Sequence, residues 1–329
     1  MANTIHTNEK GNPGARMGEP PKIEVEVPEK QDLPSTASPW EEIETEFLPV
    51  DFLLLTAKDC EYLSCLAFLH DIKRGYTKDL GPAYFGFNSQ DEPKFKIAVI
   101  ICLMGSSGPG GSIVVVQEAV PILRPRAVIC VGYCGSLNEE KAKLGDVIVS
   151  SKLTTYAFAK EWEDGIEERG LVVPPNKDMA NLIKNVGDGW KAPLTNADDL
   201  KVTLRTDGVF LSGPLVLNNP ELLNKLNNRF RQGTAIEMEG EGLYTAAHRH
   251  GIEWLVIKGV SDFAGSCGGK SSTDSWRPFA SVMAASVVFH MLNDTVVFED
   301  WPHYENTSNR KRPSSNTNHA TAKVTRVTR

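Results

Sequence analysis

The sequence predicts an α/β protein with one central mixed β-sheet flanked by helices, and three observations predict it. Uninterrupted apolar runs such as FLLLT at 52–56 and AVICVG at 127–132 are of the kind found in strands buried on both faces. Segments with helical spacing separate these runs. Several runs end in glycine-, serine- or acid-rich turns, and in such sheets ligands bind beyond the carboxyl ends of the strands.

Taken in order, residues 51–58 read as the first buried strand. Residues 59–75 follow with helical spacing, an Asp at the start and Gly75 at the end. The run FKIAVIICLM at 95–104 is the next strand and enters the loop GSSGPGG at 105–111. A helix is expected over 112–123, stopped near Pro125. The strand at 127–132 ends in a turn at Tyr133-Cys134-Gly135-Ser136, and 146–152 is another strand. Residues 201–212 supply one or two more, and 221–231 is amphipathic and helical. Residues 235–239 (AIEME) run from strand into a helix at 240–250, residues 253–262 close the sheet, and 276–292 is a last helix. These elements define a single domain over residues 45–300, between unstructured tails at 1–44 and 301–329, the second of them basic.

Composition bounds the function class. The chain has 329 residues, 41% apolar and 23% charged, with a net charge of −7, values of a globular protein with no attraction for nucleic acid or an anionic membrane surface. No apolar run is long enough to span a bilayer and the N-terminus lacks an apolar signal core, so a cytoplasmic protein is expected. The six cysteines form no C-x-x-C pair and read as reduced thiols. Asn306-Thr307-Ser308 matches a glycosylation acceptor, which means little without a secretory signal, and Arg310-Lys311-Arg312-Pro313 reads as a solvated tail ahead of a short nuclear signal.

Four motifs carry chemistry. The loop from Gly105 to Gly111, which includes Ser107, allows backbone N–H groups to approach an anion or a ribose at the start of a helix. It matches neither the dinucleotide nor the Walker A spacing, and a plain tight turn would also explain it. The segment Gly132-Tyr133-Cys134 lies at a strand end, but the residue two after Cys134 is Ser136 rather than Gly, so no nucleophile elbow is read there. Glu237 and Glu239 share one face around Met238, and two carboxylates in an apolar stretch require hydroxyl donors, as on a ribose, or a cation such as Lys258 or Arg249. Asp262, after Ser261 at the mouth of a buried strand, has either the desolvated setting of a general acid or the ordinary role of a turn cap. His248 and His250 lack the spacing of a helical zinc pair, and no metal or other cofactor is expected.

The order and spacing of these motifs over residues 50–293 resemble the purine nucleoside and uridine phosphorylase family, including the methylthioadenosine/adenosylhomocysteine nucleosidases. The features that carry the resemblance are the Gly105–Gly111 loop, Gly132–Leu137 with Leu144–Val149 after it, Glu237-Met238-Glu239, and the final Val260-Ser261-Asp262. It implies a nucleoside phosphorylase-like fold and N-glycosidic bond cleavage. By resemblance, Glu239 binds the ribose hydroxyls with Met238 under the sugar, Glu237 supports them, and Asp262, backed by Ser261, protonates a purine at N7. Gly132, Tyr133, Cys134, Val216 and Leu217 line the base side, and Gly105 and Ser107 lie near the ribose. Glu61 stands where the nucleosidases carry the carboxylate that activates water. The first 60 residues hold only Arg16, whereas phosphorylases need several arginines around phosphate. Hydrolysis of a purine, by preference adenine, nucleoside or nucleotide is therefore expected ahead of phosphorolysis, with a non-catalytic nucleotide sensor as a third reading. Lys58, Lys160, Lys258, Lys270 and Arg277 are the basic side chains available for 5′-phosphates or for ordinary surface duty. The expected partner is the small-molecule substrate, with at least a homodimer implied by the resemblance.

Overall fold

The computed structural model describes residues 18–163, 165–265 and 274–305. The expected tail segments 1–17 and 306–329, with the Asn306 and Arg310 motifs, lie outside the described residues, as do Cys267 and Lys270.

Helix α1 (Trp40–Phe47) precedes strand β1 (Phe52–Thr56), α2 (Asp59–Leu66), β2 (His70–Thr77), β3 (Gly81–Phe87), β4 (Lys96–Ile101) and α3 (Ser112–Leu123). Then follow β5 (Ala127–Ser136), β6 (Val147–Thr155), a hairpin of β7 (Ala159–Trp162) and β8 (Gly165–Glu168), β9 (Val172–Val173) and α4 (Lys177–Ile183). The chain continues through β10 (Leu204–Ser212), α5 (Pro220–Arg229), β11 (Ala235–Glu237), α6 (Gly240–His250), β12 (Glu253–Phe263) and α7 (Trp276–Leu292).

Among the described residues ten strands form one mixed sheet in the order β11-β10-β6-β12-β5-β1-β4-β3-β2, with β9 beside β6. β11 also pairs antiparallel with the far end of β5, Ala235 opposite Ser136 and Ile236 opposite Gly135. That pairing bends β5, β12, β6, β10 and β11 into a closed ring, which covers the free edge of β11. It also brings Glu237, Glu239 and Asp262 to one end of the ring.

The apolar runs are uninterrupted because alternate side chains feed two cores. In β1, Phe52 and Leu54 join a cluster with Tyr62 of α2 and Phe279 of α7, while Leu53 and Leu55 join another with Val116 of α3 and Leu243 of α6. Each face is thus sealed by a helix pair, α2 with α7 and α3 with α6. Asp146, part of the quoted resemblance, is structural: its carboxylate accepts from the backbone N–H of Lys143 and Thr203 and pairs with Arg205, tying β6 to β10.

Three expectations are corrected. The helix predicted over 59–75 stops at Leu66, and 70–77 is strand β2 on the sheet edge. Asp71 adopts a positive φ of 54°, which a helix excludes, and pairing with β3 overrides the local periodicity. The turn expected at 133–136 is instead the second half of β5, paired with β12 through Ser136. Finally, residues 18–44 do not form a loose tail. Ile23, Val25 and Val27 pack on the core, Leu33 is buried, and the Trp276 indole N–H donates to the Gly18 carbonyl at 2.8 Å. The spacing of these apolar residues matches a strand-like strap, and the surrounding Pro and Glu masked it. At the other end Trp301 is buried too, so the packed body runs past residue 300.

Among the described residues no helix is long and apolar enough to cross a membrane.

Candidate active site

A cavity of about 310 Å³ opens at the ring end. It is lined by Glu61, Glu237, Glu239 and Asp262, by Lys58, Lys258 and Arg277, and by the apolar Met104, Leu215, Val216, Leu217, Ile236, Met238 and Phe263, among others.

Glu61, the third residue of α2, faces back toward the chain entering its own helix. One carboxylate oxygen accepts the backbone N–H groups of Ala57 at 2.6 Å and Lys58 at 2.9 Å, a helix-start arrangement. The other accepts the N–H of Tyr133 in β5 at 3.1 Å. Gly132 makes this possible, since a Cβ there would stand 2.0 Å from a Glu61 carboxylate oxygen. Glu61 is only 2% exposed. Burial, with some help from Glu239, holds its pKa above the usual value against the pull of Lys258 and the backbone donors. Three N–H partners leave roughly one of its four lone-pair sites for another donor.

Asp262 lies across the cavity. The register of β12 against β5 slips between Val260 and Asp262, so Ser261 is an extra residue on β12. Such a bulge re-aims the next side chain. The Ser261 hydroxyl donates to Asp262 at 2.7 Å and is the neutral donor that holds it. Burial raises the Asp262 pKa, and neither the Ser261 bond nor the nearby Arg277 charge cancels it. Gly135 gives it room: a Cβ there would come within 3.0 Å of its carboxyl.

Between them lies the acidic run. Glu239 accepts the Gly105 N–H at 3.2 Å with one oxygen and the Lys258 ammonium at 2.7 Å with the other. Lys258 is 1% exposed, and Glu239 is held below its usual pKa chiefly by the Lys258 charge, in spite of its burial. Glu237 takes a different role. Its carboxylate accepts the N–H groups of Glu239 and Gly240 at 2.9 and 2.8 Å, capping α6, and burial raises its pKa. Cys130, Glu237 and Glu239 have ligand atoms within 4.8 Å of one another, but the Lys258 ammonium already supplies the cation at that spot.

The sequence-predicted residues thus divide. Glu61, Tyr133, Cys134, Val216, Leu217, Glu237, Met238, Glu239 and Asp262 converge on one cavity. Ser261, Gly132 and Gly105 stand behind it, holding Asp262 and Glu239 and leaving room for Glu61. The loop 105–111, read from sequence as a neighbour of an anion or a ribose, or as a plain tight turn, donates its Gly105 N–H to the Glu239 carboxylate. Ser107 is exposed and off the cavity; its neighbour Ser106 donates to the Met238 carbonyl at 2.9 Å, since the tight turn points the 106 side chain inward. Lys160 is also off the cavity, on the β7–β8 hairpin with its ammonium 3.5 Å from the Trp162 ring centre. Burial and nearby acids push the Cys134 thiol up, away from nucleophilic use. Sequence reasoning missed Met104, Ile236 and Phe263 on the walls, which carry no polar signature, and Asn218, a single amide in a loop.

A mixed sheet bent into a ring, with buried carboxylates converging where its strands end, defines a nucleoside phosphorylase-like protein. The chain belongs to the phosphorylase superfamily, whose family model matches residues 95–292. It is 29% identical over 193 residues to a death domain-containing ATP nucleosidase of Amphimedon queenslandica, covering 55% of this chain and 36% of that protein. It is 25% identical over 211 residues to the ATP nucleosidase Cap17 of Escherichia coli, covering 59% of this chain and 41% of that one. The chain therefore spans well under half the length of these relatives. The crystal structure of a 5′-methylthioadenosine/S-adenosylhomocysteine nucleosidase from Colwellia psychrerythraea with adenine shares the fold, with a TM-score of 0.59 at 19% identity, covering 75% of this chain and 96% of that one.

Proposed function

We propose that this protein hydrolyses the N-glycosidic bond of an adenine nucleoside or nucleotide, releasing the base and ribose or ribose phosphate. The observation that carries this reading is the pair Glu61 and Asp262. Both carboxyl groups open on one cavity, Glu61 buried and dressed with backbone donors and Asp262 partly buried against apolar walls.

The roles follow from bond chemistry. As the base departs, positive charge grows on the sugar ring and negative charge on the base. Asp262, its pKa raised by burial, keeps a proton to give to the base nitrogen, and Ser261 orients it. Glu61 directs its remaining lone pair at a water and takes a proton as that water attacks the anomeric carbon. Glu239, ionised beside Lys258, accepts hydrogen bonds from the ribose hydroxyls, and its charge favours the cationic ring. Leu217, Ile236 and Phe263 offer apolar surface to the base. The relatives named as ATP nucleosidases and the adenine-bound structural neighbour support adenine as the base.

Phosphorolysis is the second reading. A phosphate dianion beside Glu61 would meet a like charge in a desolvated site, which weighs against it. Incubation with adenosine, methylthioadenosine, AMP and ATP, each with and without inorganic phosphate, tests the choice by chromatography of free base and sugar. Base release independent of phosphate is expected. Release only with phosphate makes the protein a phosphorylase, and binding without release a sensor. A homodimer and a cytoplasmic setting belong to the same proposal, and sedimentation and cell fractionation test them.

A further inference from the structure

A second groove, away from the active site, has an acidic rim, and the chain has a run of basic residues that the active site does not use. The groove, of about 780 Å³, lies between α4 and the C-terminal end of α7. Its floor is apolar, with Val186, Met291 and Trp301 buried. Its rim is acidic: Asp178 in the first turn of α4, Asp188 beyond that helix and Asp294 beyond α7 are all exposed. Among the described residues no lysine or arginine lines it, and none of the three carboxylates has a hydrogen-bond or ion-pair partner. Lys184, at the end of α4, is turned instead to the Asn181 side chain at 3.1 Å. His290, on the wall, donates from Nε2 to the Asp188 carbonyl at 2.9 Å rather than to a carboxylate. Like charges around one groove repel, so the rim favours a cation.

The complementary charge is on the same chain. Residues 306–329 include Arg310, Lys311, Arg312, Lys323, Arg326 and Arg329 and no Asp or Glu. The first three follow closely on the groove itself. Trp301 is in its floor, and Arg310 comes nine positions later, a reach of about 30 Å at full extension. The last described turn also stays at this end of the molecule. The Tyr304 ring meets His250, just before β12 begins at Glu253, and Glu253 is close enough to Asp178 to feel its charge. Ion pairs between exposed groups are individually weak. A short tether raises the effective concentration of one partner to about the mM range, so weak contacts suffice within a chain where they would not for a free peptide.

We propose that Arg310, Lys311 and Arg312 dock in cis on this groove, their stems over its apolar floor and their charges on Asp178, Asp188 and Asp294. Long basic side chains suit such a surface, because the aliphatic stem covers apolar area while the head stays in water at the rim. The contact is separate from the chemistry: α7 lines the active-site cavity at its start, through Arg277, and this groove at its end.

The test uses the full chain and limited trypsin digestion, which cuts after Arg310 and Lys311 but poorly at Arg312, before Pro313. Wild type is compared with a variant carrying Asp178→Asn, Asp188→Asn and Asp294→Asn together, all at exposed positions, with the fold checked by circular dichroism. A second variant with Glu139→Gln and Glu140→Gln, exposed acids elsewhere on the surface, controls for overall charge. At low salt the tail peptide should be released on the order of tenfold more slowly from wild type and the control than from the triple variant, and the difference should vanish at about 0.5 M salt. Carbodiimide coupling should join Lys311 to one of the three aspartates within a single chain, read by mass spectrometry of a mixture of isotope-labelled and unlabelled protein. Equal release from wild type and the triple variant overturns the proposal, as does equally fast release from the control and the triple variant. Coupling found only between labelled and unlabelled chains overturns it too, and assigns the groove to the tail of a second copy.

Discussion

The Glu61 end and the Asp262 end of the cavity carry the same functional group in opposite surroundings. Glu61 sits where a helix begins and a strand passes, so three backbone N–H groups point at it. Asp262 sits on a strand bulge and receives one hydroxyl, from Ser261. Burial raises the pKa of both. The difference lies in the donors: three fixed backbone N–H groups favour an anion at Glu61, whereas Asp262 has a single hydroxyl, and the proposed mechanism uses the first as base and the second as acid. That asymmetry is what an acid-and-base mechanism requires, and each end can be broken separately.

The largest effects belong to the carboxyl groups themselves. Asp262→Asn and Glu61→Gln should each lower the rate of base release on the order of 10²–10⁴-fold at saturating substrate, with the folded state retained by circular dichroism. An Asp262→Asn enzyme of normal turnover would falsify the assignment of the acid. Next comes Lys258→Met, which leaves Glu237 and Glu239 buried without their cation. Breaking a buried pair in this way costs about 3–5 kcal/mol, so denaturant unfolding should show a large loss of stability. An unchanged midpoint would mean that the two carboxylates are neutral in the folded protein.

The pH profile sharpens the comparison. The proposed mechanism needs Glu61 deprotonated and Asp262 protonated, so kcat/KM should fall on the acid side as Glu61 gains its proton and on the alkaline side as Asp262 loses its own. Ser261→Ala removes a donor that favours the Asp262 anion, so the alkaline limb should move to higher pH. A limb that stays in place would assign it to another group.

The smallest effect is one of stability. Asp262 has a folded pKa above its ordinary value of 3.8, so between the two values the folded protein binds more protons than the unfolded chain. Its contribution is present below pH 3.8 and lost as pH rises through the folded value. Asp262→Asn should therefore gain on wild type as pH is raised from 4 to 8, read from melting curves. A difference that is flat with pH would show that Asp262 titrates alike in both states.

Several of these residues were legible in advance because their context is local. Glu237-Met238-Glu239 and Ser261-Asp262 announce themselves as acids at the ends of apolar strands, and β1, α3, β12 and α7 were recognisable from periodicity alone. The β2–β3 hairpin was not, because its strand character comes from pairing rather than from its own spacing. Ser106 and Ser107 are indistinguishable as letters, and only the direction of the loop separates them.

By itself the sequence determined the alternation of buried strands and helices, the identity of the carboxyl groups and the absence of a dinucleotide or Walker A loop, since these depend on neighbours along the chain. Only the tertiary structure decided how the ends are dressed. The pairing of β11 with β5 closed the ring, the bulge at Ser261 aimed Asp262, and Gly132 opened space for a carboxylate 71 positions earlier in the chain. Desolvation and hydrogen-bond geometry act through space, so the different surroundings of Glu61 and Asp262, on which their proposed roles as base and acid rest, are a property of the fold rather than of either residue.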